Sequence, residues 1–129
     1  MATYVVTGGA GFVGSNIVSR LVEQGEEVRV VDDLSTGRAA NLEQARDRTR
    51  MFRGSILDTD LLERAFAGAD FVLHQAALAS VPRSMKDPLA TDRANVEGTL
   101  KVLLSARECG VRRVVYASSS SVYGDAPEL

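Results

Sequence analysis

Short β-rich apolar runs alternate with longer stretches of helical period along the chain. Residues 2–7 (A-T-Y-V-V-T) read as a strand that ends in a glycine cluster. Residues 12–24 follow as a helix, with Phe12, Val13, Ile17, Val18, Leu21 and Val22 on one stripe and Gly25 as its stop. Residues 27–32 (E-V-R-V-V-D) give a second strand. The polar segment after it predicts a loop and then a short helix near 39–46, and residues 50–54 (R-M-F-R-G) give a third, weaker strand. Asp58 or Thr59 caps a helix carrying Leu61, Leu62, Ala65 and Phe66, which Gly68 ends. Residues 71–75 (F-V-L-H-Q) form the fourth strand, and a loop is expected around residues 80–84. Asp87-Pro88 then opens a helix that runs to about Cys109 and stops at Gly110. Residues 111–118 (V-R-R-V-V-Y-A-S) are the fifth strand.

Five strands alternating with helices, several of them near-continuous valine runs, predict a parallel sheet covered on both faces. Right-handed crossovers make it a doubly wound α/β sheet in the order 3-2-1-4-5, one domain over residues 1–129. Composition narrows the chemistry. With 45% hydrophobic residues the chain has material for a core, which excludes disorder. Fifteen basic against seventeen acidic residues leave a formal charge of −2, so no electrostatic case exists for nucleic acid or an anionic membrane. A single cysteine, Cys109, and a single histidine, His74, exclude a disulfide framework and a His/Cys metal cluster. No apolar run reaches membrane-spanning length and the start lacks a secretory pattern, which makes the cytoplasm the expected location.

The glycine cluster carries the first chemical signal. Thr7-Gly8-Gly9-Ala10-Gly11-Phe12-Val13-Gly14 joins the first strand to the first helix. Gly9, Gly11 and Gly14 fit G-x-G-x-x-G, and Gly8, Gly11 and Gly14 fit G-x-x-G-x-x-G. In a dinucleotide-binding (Rossmann) unit such glycines permit the tight turn, the approach of backbone to a pyrophosphate, and close helix–strand packing. The helix start adds free N–H groups and the positive end of its dipole. A glycine-rich turn without a ligand is the alternative. The strand before it, the helix after it and the acidic strand end that follows favour the ligand.

That acidic signal is Asp32, at the end of the second strand. A carboxylate there accepts from the ribose hydroxyls of adenosine and repels a 2′-phosphate, so NAD is favoured over NADP. Asp33 beside it shares the candidacy, Arg38 keeps NADP open, and a plain turn residue is the alternative reading of Asp32. Three later features fall at strand ends on the same side of the sheet. Gln75-Ala76-Ala77 either lets a cofactor lie against the backbone or packs tightly for its own sake. Asn95, a mediocre helix former inside a long helix, either bonds the backbone of the loop after the fourth strand or is exposed. Ser118 to Ser121 either bond a substrate oxygen or cap local backbone. His74 reads as a strand-end residue rather than a ligand, and Cys109 as a packed thiol rather than a nucleophile.

Five segments in order, TGGAGFVG, DDLSTG, HQAA, NVEGT and SSSSVYG, resemble the extended short-chain dehydrogenase/reductase family, in particular its nucleotide-sugar epimerases and dehydratases. The nearest pattern is that of members that epimerise C4 of a UDP-hexose; dehydratases and decarboxylases share the motifs. The resemblance implies tightly held NAD, oxidation of the sugar C4 to a ketone, and return of the hydride to the other face. By similarity Phe12 and Val13 contact the pyrophosphate through backbone, and Asp32 and Asp33 the adenosine ribose. Ser55 and Ile56 fall at the adenine edge, where many relatives carry Asp in place of Ser55. Gln75, Ala76 and Ala77 line the cofactor with Asn95 supporting them. Ser80 lies in the loop leading to the substrate. Ser119 matches the hydroxyl that bonds the reacting sugar oxygen, with Ser120 and Ser121 beside it; Ser121 is the candidate assistant.

The family takes the substrate proton with a Tyr-x-x-x-Lys pair. Four positions after Tyr4, Tyr116 and Tyr123 stand Gly8, Ser120 and Pro127, so no such pair occurs in the chain. The resemblance therefore identifies the N-terminal portion of such an enzyme, without the later strands and the substrate domain, binding NAD but inactive alone. A non-catalytic NAD-binding module is the alternative; a serine cluster at the fifth strand end argues against it. Dehydratases of the family often carry an acidic pair where Ser120 and Ser121 stand, which favours epimerisation. Family members dimerise through two helices of the sheet, and the chain holds the first, near residues 88–109, so a homodimer is an expectation together with an open edge at the fifth strand.

Overall fold

The computed structural model describes residues 1–125 and Pro127. Five parallel strands form one sheet in the order β3-β2-β1-β4-β5. They are β1 (Thr3–Thr7), β2 (Glu27–Asp32), β3 (Thr49–Arg53), β4 (Phe71–His74) and β5 (Arg113–Tyr116). The helices are α1 (Phe12–Glu23), α2 (Thr59–Phe66), α3 (Val81–Lys86), α4 (Pro88–Asp92) and α5 (Gly98–Glu108). A 3-10 segment, Ala39–Arg48, precedes β3, and a π-helical turn, Arg93–Glu97, joins α4 to α5.

Strand alternation divides the core between the two faces. Val5, Val31 and Val72 point to the face covered by α2 and α5, where they meet Leu62, Phe66 and Val102. Val6, Val28 and Val30 point to the other face, where they meet Val18, Leu21 and Val22 of α1 and Leu42 of the 3-10 segment. Because β1 pairs with β2 on one side and β4 on the other, the chain reverses its winding there and leaves a crevice beyond the β1 and β4 carboxyl ends.

Two expectations need correction. Phe12 and Val13 are not on the buried stripe of α1, which consists of Gly14, Ser15, Val18, Leu21 and Val22; Phe12 is 82% exposed and Val13 55%. Gly14 and Ser15 supply the buried side of the first turn, and Phe12 and Val13 stand on its open side at the crevice. The expected loop at 80–84 is largely helical: α3 starts after Ser80, whose side chain accepts from the Arg83 amide at 3.3 Å. Pro82 stands in the first turn of α3, where its missing N–H costs nothing. Asp58 rather than Thr59 caps α2, accepting from the Leu61 amide at 3.1 Å. β5 is shorter than its apolar run, and its outer edge has no partner among the described residues.

Candidate functional site

A cleft of about 650 Å³ opens at the crevice, within the range of small-molecule sites. Its floor is the turn between β1 and α1. Gly8 adopts a left-handed φ of +67°, and a Cβ there would stand 2.7 Å from the Ala76 amide nitrogen, so the turn is pressed against the exit of β4. A Cβ on Gly14 would stand 2.1 Å from the Gly8 carbonyl oxygen, which lets α1 start directly on the turn. Gly11 begins that helix without any side-chain cap. The first-turn amides of Phe12, Val13 and Gly14, all cleft-lining residues, therefore have no intrahelical acceptor.

Asp32 stands at the cleft, 8% exposed. Its Oδ2 accepts from the Ala10 amide at 2.9 Å and its Oδ1 from the Leu34 amide at 2.8 Å. The carboxylate thus fixes the glycine turn to the loop after β2, and each oxygen retains a lone pair for a ribose hydroxyl. The Ala10 carbonyl closes the same joint by accepting from the Arg38 amide at 3.0 Å and Asn41 Nδ2 at 2.8 Å. Asp33 lines the cleft, with its carboxylate accepting from the Ser35 amide at 2.9 Å. Ser55 and Ile56 line it as well, and Ser55 Oγ accepts from the Leu57 amide at 3.1 Å.

Gln75, Ala76 and Ala77 form the wall beyond β4. Asn95 does not line the cleft; it holds that wall from behind. Its Oδ1 accepts from the Leu78 amide at 2.8 Å and its Nδ2 donates to the Leu78 carbonyl at 3.0 Å. The π turn widens the helix at this point, which frees a polar side chain to serve a neighbouring loop. Ser80 lies outside the cleft lining as the cap of α3. Ser119, Ser120 and Ser121 are exposed beyond the carboxyl end of β5, also outside the lining. The Ser119 hydroxyl donates to Ser121 Oγ at 3.1 Å and accepts from the Ser121 amide at 3.1 Å.

Sequence reasoning missed Arg83 and Arg93, which also line the cleft. Neither forms an ion pair with the described residues, so both bring positive charge to a lining that also carries Asp32, Asp33 and Asp87. Only a fold brings α3 and the π turn to the cleft that the glycine turn floors, so no local signal marked them. Uncapped amides, close backbone approaches that only glycine allows, and an acidic strand end together fit a dinucleotide such as NAD.

His74 is 5% exposed and bonded at both ring nitrogens. Burial lowers its pKa from 6.5. Below pH 6.5 the unfolded chain takes up a proton that the folded chain resists, so stability falls as pH drops through 6.5 towards the lowered folded value and levels above 6.5. We expect the urea midpoint to fall between about pH 7 and 5 more steeply in the wild type than in His74→Gln; equal slopes would contradict the buried neutral ring. Burial, Glu63 and Glu108 raise the Cys109 thiol, which keeps it protonated and a poor nucleophile.

The sequence profile of the NAD dependent epimerase/dehydratase family matches residues 4–129. A UDP-glucose 4-epimerase of Mycolicibacterium smegmatis is 44% identical over 127 residues, 95% of this chain and 41% of that protein. UDP-glucuronic acid decarboxylase 1 of Danio rerio is 39% identical over 125 residues, 97% of this chain and 29% of that protein. The crystal structure of a Thermus thermophilus UDP-glucose 4-epimerase in complex with NAD is 41% identical and superposes with a TM-score of 0.89, covering 98% of this chain and 40% of that one. The chain thus spans about two fifths of the length of the curated epimerase it matches.

Proposed function

The chain belongs to the NAD dependent epimerase/dehydratase family, and on that premise we propose that it is the NAD-binding portion of a nucleotide-sugar epimerase that inverts C4 of a UDP-hexose. The observation that carries the reading is the joint of Gly8, Gly14 and Asp32: a backbone too close for any Cβ, beside a carboxylate that both fixes the turn and faces the cleft. The amides of Phe12 and Val13 hold the pyrophosphate, with Arg83 and Arg93 adding positive field. Asp32 and Asp33 take the adenosine ribose. Ser55 and Ile56 lie at the adenine edge, and Gln75, Ala76 and Ala77 flank the cofactor.

When bound, NAD supplies a two-electron acceptor for the sugar carbinol. Ser119 donates a hydrogen bond to the reacting sugar oxygen, and Ser121, whose Oγ lies 3.1 Å from that of Ser119, assists beside it. No tyrosine in the 129 residues has a lysine four positions on, so this chain alone lacks the family's base. Ser120 and Ser121 in place of an acidic pair support epimerisation over dehydration, although a decarboxylase is among the relatives. The exposed Leu100, Leu103 and Leu104 of α5 support a homodimer through that helix.

The test compares nucleotides and variants. NAD should bind at least about tenfold more tightly than NADP, since a 2′-phosphate meets Asp32 at close range. Asp32→Ala should narrow that ratio and weaken NAD binding. Equal affinity for both nucleotides in the wild type would remove Asp32 from the ribose. A coupled assay with UDP-galactose should show no turnover by the chain alone; sustained epimerisation would refute the missing base.

A further inference from the structure

The hydrogen bonds around His74 admit one assignment of protons. The Asn95 carbonyl can only accept, so the Thr99 hydroxyl donates to it at 2.7 Å. Thr99 Oγ1 then accepts from His74 Nε2 at 2.9 Å, and that nitrogen carries the ring proton. In a neutral ring Nδ1 is bare, so the Thr7 hydroxyl donates to it at 2.6 Å. Thr7 Oγ1 in turn accepts from the Ala76 amide at 3.3 Å. The chain of bonds runs from the cleft wall at Ala76, through the end of β1, β4 and α5, to Asn95, which returns to the same wall at Leu78.

We propose that His74 is a positioning residue of the cleft: as the neutral Nε2–H tautomer it locks Thr7 and Thr99 in opposite hydrogen-bond roles and so fixes the wall formed by Ala76, Ala77 and Leu78. The role extends beyond the cofactor contacts, because the ring reaches the wall only through other residues. The groups meeting the ring are Thr7 from β1 and Thr99 from α5, with Tyr116 of β5 as its register partner on the same face. Of the charged residues on α5, Lys101 pairs with Glu97 of the π turn at 3.8 Å and Arg107 with Glu108 at 2.8 Å. A second ring proton would confront the Thr7 hydroxyl with a donor, and Thr7 would have to turn its own proton away from Nδ1. Thr7 Oγ1 would then accept from Nδ1 as well as from the Ala76 amide, and its own proton would lose its acceptor inside the buried joint.

The experiment uses the whole chain and begins without nucleotide. Ring 15N shifts at neutral pH should show Nε2 protonated and Nδ1 bare; the other tautomer, or an imidazolium, overturns the proposal. Thr99→Val should speed hydrogen exchange at the Ala76 and Leu78 amides about fivefold, while Thr99→Ser, which keeps the hydroxyl, restores it. Unchanged exchange in the folded Thr99→Val chain also overturns it. A further readout rests on the nucleotide reading: NAD affinity should drop about fivefold in Thr99→Val and recover in Thr99→Ser. Failure of the wild type to bind NAD would count against the cofactor site, leaving the shifts and exchange rates to decide the role of His74.

Discussion

Gly14→Ala should weaken NAD binding about a hundredfold while the chain remains folded. The new Cβ would stand 2.1 Å from the Gly8 carbonyl oxygen and 2.8 Å from Gly8 C and Gly9 Cα, where real contacts do not fall below 3.0 Å. The turn cannot simply retreat. The Gly8 carbonyl accepts from the Gly11 amide at 3.0 Å, and Gly8 itself is backed against Ala76. Helix and turn must therefore separate by about an ångström, at a cost of about 1–3 kcal/mol in stability. The same displacement moves the first-turn amides off the phosphates. Gly25→Ala is the control: its left-handed φ of +82° is strained by a side chain, but nothing lies within 4 Å and it is far from the cleft. It should cost about 1 kcal/mol and leave NAD affinity unchanged. Urea unfolding and NAD titration of both variants separate the effects, and Gly14→Ala binding within about twofold of wild type would detach the turn from the pyrophosphate.

Phe66→Ala should be the most damaging single truncation in the core, at about 3–5 kcal/mol. Phe66 is fully buried at the end of α2, in the cluster with Val5, Val72 and Val102. The void would lie between α2, α5 and the sheet, and the neighbouring side chains are held by the strands and cannot close it fully. A domain of this size has only about 5–15 kcal/mol in total, so the midpoint of urea unfolding should fall sharply with an unchanged slope. A loss below about 1 kcal/mol would mean that α2 does not pack on the sheet as described.

How much of this was legible in the sequence differs from element to element. Near-continuous valine runs mark β1 and β2 as strands covered on both faces, because consecutive residues face opposite helix layers, and crossover handedness supplies the strand order. The glycine spacing marks the turn because only glycine fits where backbone meets backbone, as at Gly8 and Gly14. Phe12 and Val13 misled the pattern: they continue the helical stripe but stand on the open side of the first turn, at the cleft. The helix at Val81–Lys86 was hidden by Pro82, whose meaning depends on whether it opens or interrupts a turn. The double duty of Asp32 and the network through His74 depend on contacts between β1, β4 and α5, which are distant along the chain. The same distance concealed Arg83 and Arg93. Asn95 was legible as an oddity in a helix, and its target, Leu78, follows from the π turn.

The central claim is that this chain holds NAD at the joint of Gly8, Gly14 and Asp32, and isothermal titration of NAD into the purified chain tests it most directly. The account predicts saturable heat with one nucleotide per chain, abolished or greatly weakened in Gly14→Ala. No heat from a chain that is folded by circular dichroism, or heat unaffected by Gly14→Ala, would contradict it.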